Sequence, residues 1–301
     1  MDARRALPLV AALTFLVAFG VAELTGVRAL GGLVLVAGGL WCARIAAPIA
    51  GKGPTAALLV VALVAAFVAW ELRAPHPMLP MRFFRSRTFA AANGVGFVMS
   101  FGVFGSIFLL APFLQVTQGL SPLEAGIRTL PWTAMPMLIA PWAGILSDRI
   151  GSRPLMATGL ALQAGALAWL ASISVPDVAY SSLVLPFAMA GAGMALVFAP
   201  SANAVLSSVD QRSAGQASGA TNAIRELGGV MGIAVLASVF SAHGSYASPQ
   251  AYTDGMVSAV WVGAAVLAAG ALVALAIPRV AGRATAPAAA PAQIAPEPVA
   301  A

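Results

Sequence analysis

The sequence predicts an all-α, polytopic transmembrane helix bundle of about nine spans, and three observations predict it. The chain is 60% hydrophobic and only 9% charged, where a soluble domain carries about 25% charged residues. Apolar runs of roughly 20 residues, the length that crosses a bilayer, recur from end to end. The basic residues, finally, are gathered at the ends of those runs, as topology anchors are. The formal charge of +6 therefore does not point to nucleic acid, because the arginines stand singly or in small groups rather than in a patch. The lipid bilayer is the expected partner. Cys42 lies alone in an apolar stretch, which rules out both a disulfide framework and a thiolate metal site. Abundant Ala, Gly and Arg with a single lysine, Lys52, suggest a bacterial chain and so the plasma membrane.

Taken in order, spans are expected at 7–24, 28–47, 55–73, 89–114, 123–146, 154–173, 180–206, 215–240 and 255–278. The Ala- and Pro-rich residues 279–301 cannot bury a core and are expected to be a disordered tail. Four units follow: three N-terminal spans in 1–73, a linker at 74–88, six spans in 89–278 and the tail.

Arg82, Arg85, Arg87, Arg149, Arg153, Arg212, Arg279 and Arg283 fall on alternate loops, and the loops near 115–122, 174–179 and 241–254 hold no Lys or Arg. The positive-inside rule then puts 74–88, 147–153, 207–214 and the tail in the cytoplasm. The first three spans fit this less well, since an odd number of helices would leave Arg4 and Arg5 outside. Either the first segment behaves like a signal peptide or inserts incompletely, or the chain starts partway into a longer ancestral protein. The second reading is preferred, because the remainder reads as the end of something.

The stretch 144–153, Gly-Ile-Leu-Ser-Asp-Arg-Ile-Gly-Ser-Arg, is a short polar turn between two apolar runs. So short a connection should make the flanking helices antiparallel neighbours. Gly144 should permit close helix approach, and Gly151 a turn with positive φ. Asp148 is placed to meet a helix N-terminus, where an anion is favoured by about 0.3–1 kcal/mol. As a pattern, G-x-x-x-D-R-x-G-x-R resembles the loop after the second helix in each half of major facilitator transporters. The basic, aromatic stretch 78–90 reads as an interfacial linker. It is also similar to the segment joining the two central helices to the C-terminal half in fourteen-helix drug:proton antiporters of the DHA2 group. Ser-Pro-Leu-Glu-Ala-Gly-Ile-Arg-Thr-Leu-Pro at 121–131 is similar to the next outward helix start in that group.

In the span 215–240, Gly215, Gly219, Asn222, Glu226, Gly229 and Ile233 recur on one helical face, with glycines spaced for close packing. Arg225 and Glu226 lie near the bilayer midplane, where charge is expensive and faces a watery cavity or a partner. Neighbours on a helix point about 100° apart, so each needs a partner elsewhere. Two readings stay open for Asn222, Arg225 and Glu226: a polar translocation pathway, or a structural network between helices. Ser218, Gly219, Asn222, Arg225, Gly228 and Gly229 resemble the S-G-x-x-N-x-x-R-x-x-G-G string of the fifth helix in the C-terminal half of DHA2 transporters, in which Glu226 occupies the place of a neutral amide.

Glu124 and Arg128, four residues apart, are either interface anchors or an outer gate. Pro131, Pro136 and Pro141 should kink the same helix. Asn93, with several Gly and Ser residues in 89–114, either lines a cavity or packs tightly.

An enzyme has little support: His76 and His243 fall on opposite sides, and no phosphate-cradling G-x-x-x-x-G-K-[ST] is present. No cofactor or metal is expected. The resemblance implies export of small amphipathic molecules in exchange for protons. Gly144, Asp148, Arg149, Gly151 and Arg153 would serve as the gating loop, and Asn93, Asn222, Arg225 and Glu226 would line or brace the pathway. It covers about residues 28–278 and leaves the N-terminal half unaccounted for. A transporter, either truncated or completed by a second chain or by self-association, is therefore expected, the alternative being a membrane accessory protein derived from a transporter remnant.

Overall fold

The structure is a computed structural model that describes residues 80–276, with Ala69 and Arg73. The expectations for the first three spans, Cys42, His76 and the tail lie outside those residues. Among the described residues the chain is helical, without strands: α1 (Arg87–Pro112), α2 (Pro122–Arg128), α3 (Leu130–Ile150), α4 (Ser152–Ile173), α5 (Tyr180–Ser207), α6 (Ala214–His243) and α7 (Pro249–Ala276). Arg87–Thr117, Ser152–Ile173, Tyr180–Ser207, Gln211–His243 and Pro249–Leu275 are long and apolar enough to cross a membrane. With 21 residues, α3 reaches about 32 Å at 1.5 Å per residue, but its prolines, tryptophans and terminal charges make it less apolar.

The single helix expected from 123 to 146 is instead two, with the break at Thr129. Pro131 opens the second helix, where its missing N–H removes no intrahelical bond. Ser121 and Glu124 form a capping box that starts the first. Pro136 and Pro141 lie inside α3.

At its far end α1 passes into a π turn, Phe113–Thr117, in which Gln118 N–H donates to Phe113 O at 3.2 Å. Gly119, at φ 67°, then turns the chain. The Tyr252 hydroxyl donates to Leu109 O at 2.8 Å and fastens the start of α7 beside this turn.

The most extensive seam joins α1 and α6. Gly228 abuts the Phe97 carbonyl and Gly232 the Phe101 carbonyl, so the helices run parallel and a Cβ at either position would collide with backbone. Nothing lies within 4 Å of a Cβ built at Gly215 or Gly219, so the close-packing face is not the expected one. Elsewhere α4 packs between α5 and α7, and α3 lies against α5. Despite their short connection, α3 and α4 touch little. Adjacency in sequence therefore does not choose the packing partner of α3; the surface of α5 does, with Gly191 against the Trp132 carbonyl.

The stretch before α1 is no bare interfacial linker. A 3₁₀ turn, Met81–Arg85, folds Phe83 into a buried cluster with Phe89, Ala204, Val205 and Ala217, which ties together the start of α1, the end of α5 and the start of α6.

Candidate translocation face

Arg225 is the twelfth residue of α6, about 17 Å along a helix about 45 Å long. Its guanidinium crosses to α5: Nη2 donates to Ser201 Oγ at 2.8 Å and, at 3.5 Å, to Phe198 O. The Cζ atom stands 4.2 Å from the centroid of the Phe198 ring, a cation–π geometry. Ser201 Oγ in turn donates to Phe198 O at 3.0 Å. On the α1 side, Gly96 leaves room for the side chain, since a Cβ there would stand 3.3 Å from Nε. Arg225 thus spans three helices.

Asn93 lies one turn before Gly96 and is buried; its Nδ2 donates to Phe89 O at 2.8 Å, in its own helix. Asn93 Oδ1, Thr221 Oγ1 and Arg225 Nε are buried with no hydrogen-bond partner among the described residues. Asn222 and Glu226, by contrast, lie on the exposed side of α6 beside Gly219. Of the four expected pathway residues, the structure buries Asn93 in α1, sets Arg225 against α1 and α5, and leaves the other two exposed.

At the 144–153 turn, Gly151 is at once the last cap of α3 and the first of α4, with φ 86°. Its positive φ matches the expectation. Two others do not hold. Asp148 and Arg149 are exposed, and the Asp148 carboxylate accepts no hydrogen bond from the start of α4. The Ser147 and Ser152 hydroxyls, 2.8 Å apart, close the turn instead. No atom comes within 4 Å of a Cβ at Gly144, so close approach is not its role among the described residues. Arg153 is half-buried.

Glu124 and Arg128 do not form the ion pair their spacing suggests. Glu124 Oε2 is taken by the Ser121 N–H and hydroxyl, both at 2.9 Å. These bonds, with a lesser contribution from Arg128, hold its carboxyl below the ordinary range. Arg128 stacks on Tyr180 at 5.2 Å. His243 Nδ1 lies 3.0 Å from Val239 O in its own helix. Among the described residues no cluster of His, Cys, Asp and Glu is fit for a metal.

Ser201 and Phe198, which meet the guanidinium of Arg225, are the partners that sequence reasoning missed. The signal available was Pro200, a helix-interior proline beside a serine, but nothing in the sequence ties it to Arg225.

Arg225, Asn222 and Glu226 thus put a cation and exposed polar side chains within a helix long and apolar enough to cross a membrane. A family model described as "Major Facilitator Superfamily" matches residues 6–233. The chain belongs to the Major Facilitator Superfamily. It is 32% identical over 212 residues to the "Tetracenomycin C resistance and export protein" of Streptomyces glaucescens, covering 68% of this chain and 39% of that protein. It is 33% identical over 203 residues to "Multidrug transporter protein MdtP" of Bacillus subtilis, covering 67% and 36%. Against the "Lincomycin resistance protein" of Streptomyces lincolnensis it is 36% identical over 187 residues, covering 62% and 39%. The aligned segment thus spans at most 39% of these relatives. As a major facilitator protein with several helices fit to span a membrane, the chain is a multi-pass protein of the bacterial cell membrane.

Proposed function

We propose that the chain forms part of a DHA2-type, fourteen-helix exporter that expels amphipathic small molecules in exchange for protons. Residues 89–278 supply one six-helix half, 74–88 link it to the preceding spans, and 279–301 form the tail. The observation that carries this reading is the exposed polar face of α6, Asn222 and Glu226, in a helix otherwise apolar enough to cross a bilayer. In lipid such a face is costly, whereas against a second six-helix half it lines a pathway. The names of the relatives, all of drug resistance or export, support the substrate class. The partner half lies in the same polypeptide or in another chain, or is replaced by self-association. In this reading the 144–153 turn is the gating loop and faces the cytoplasm, and Glu124 and Arg128 stand at the outer gate.

The test is everted vesicles from an efflux-deficient bacterium expressing the chain, alone and with a six-helix partner half. A proton-sensing dye should report proton release when ethidium is added, and Asp148→Asn should reduce it without lowering membrane abundance. If ethidium moves without protons, or protons without ethidium, the antiport reading fails.

A further inference from the structure

The geometry points to Arg225, with Ser201 and the Phe198 ring, as a subsite for the acidic group of a planar organic acid, a carboxylate or phenolate on an aromatic body. The inference rests on the exporter reading and narrows its substrate class. A guanidinium has five N–H donors. Among the described residues both bonds of Arg225 leave from Nη2, and Nε is buried without a partner. Nη1, with its two protons, is the donor left over, and the charged oxygen of a carboxylate or phenolate is the acceptor that suits it.

No carboxylate of the described residues reaches this cation. Glu226 is adjacent in sequence but points about 100° away around the helix and is exposed. The helices packed on α6 carry their other ionisable groups near their ends: Arg87 on α1, Tyr180 on α5, Tyr252 and Asp254 on α7. At about 17 Å from the start of α6, a lipid phosphate is out of range as counter-ion, because headgroups border a hydrocarbon core about 30 Å thick. A charge held at that depth takes its counter-charge from what enters the site.

The surroundings suit a flat apolar body attached to that acid. One face of Phe198 is covered by the guanidinium, yet the residue is still 43% exposed. Phe104, also 43% exposed, lies against Gly229 one turn further along α6. One aromatic surface, Phe198, therefore lies against the cation, and a second, Phe104, lies a helical turn further along α6.

The experiment compares three probes of one shape, pyrenebutyrate, pyrenebutanol and pyrenebutylamine, binding to the full chain in nanodiscs of zwitterionic lipid, read by pyrene fluorescence. The acid should bind about tenfold more tightly than the alcohol, the factor a charge-assisted hydrogen bond supplies. Arg225→Gln should erase that preference, and Arg225→Lys should keep part of it. Acid and alcohol binding alike in the unaltered chain would overturn the inference without any variant having to fold. So would a preference for the amine, or a preference that survives Arg225→Gln with helix content intact. Acid preference without proton-coupled transport of either ethidium or pyrenebutyrate leaves the subsite standing and removes the exporter reading; coupled transport without acid preference does the reverse.

Discussion

The two faces of α6 make opposite use of the same residue type. On the inner face Gly228 and Gly232, four residues apart, let the carbonyls of Phe97 and Phe101 approach until no side chain fits between the helices. On the outer face Gly215 and Gly219, also four apart, meet nothing within 4 Å. Small-residue spacing marks where a helix is able to pack closely, but only the partner's backbone shows which pair is used. Arg225 sits at the boundary of the two faces, its stem at the α1 seam and its head on α5.

The sharpest way to break this contrast is a matched pair of substitutions. Gly232→Val should destabilise the purified protein by about 3 kcal/mol or more, through overpacking against backbone, whereas Gly219→Val should stay within about 0.5 kcal/mol. Thermal unfolding followed by circular dichroism, with size exclusion in detergent, reads both. Equal losses would mean that the outer face is covered in the protein as purified.

A smaller effect is expected between the faces. Ser201→Ala removes the neutral acceptor of a charged donor, and we expect a loss of about 2 kcal/mol on the same unfolding measurement. An unchanged midpoint would show that the brace contributes nothing to holding α5 on α6.

Smaller still in stability, though not in activity, is Glu226→Gln on the outer face. The exposed side chain should change unfolding by less than about 0.5 kcal/mol, while gradient-driven transport in the vesicle assay should fall. Loss of both together would move Glu226 to the structural side of the comparison.

The least effect belongs to the capping box, far from either face. Because the Ser121 hydrogen bonds lower the Glu124 pKa from its ordinary 4.5, its stabilisation is fully present above that pH. It is lost as pH falls through the lower folded value. Unfolding midpoints of the unaltered chain should drop on acidification across that window more than those of Glu124→Gln, and parallel curves would remove the cap from the account.

The helices of the described residues were legible from apolar run length, because in a membrane the backbone has little choice but helix. Gly151 was legible too, as a glycine in a connection too short for anything but a special φ. The pairings were not. Glu124 and Arg128 have the spacing of an ion pair, yet a serine three residues before the glutamate offers two donors with less chain to order. Asp148 has the position of a cap, but Ser147 and Ser152 already close the turn. The site was half legible: Arg225 stands out as a cation in an apolar run, while Phe198 and Ser201 look like any helix interior until α5 is laid beside α6.

One consequence of the joint at Gly151 is mechanical. With α3 ending at Ile150 and α4 starting at Ser152, any change in the angle between these rods is carried largely by one residue's two soft torsions. A longer loop would absorb motion as slack, whereas this joint converts a rotation of α3 directly into a tilt of α4. The hydroxyl pair across it, 2.8 Å apart, sets the angle of that joint with a single directional bond.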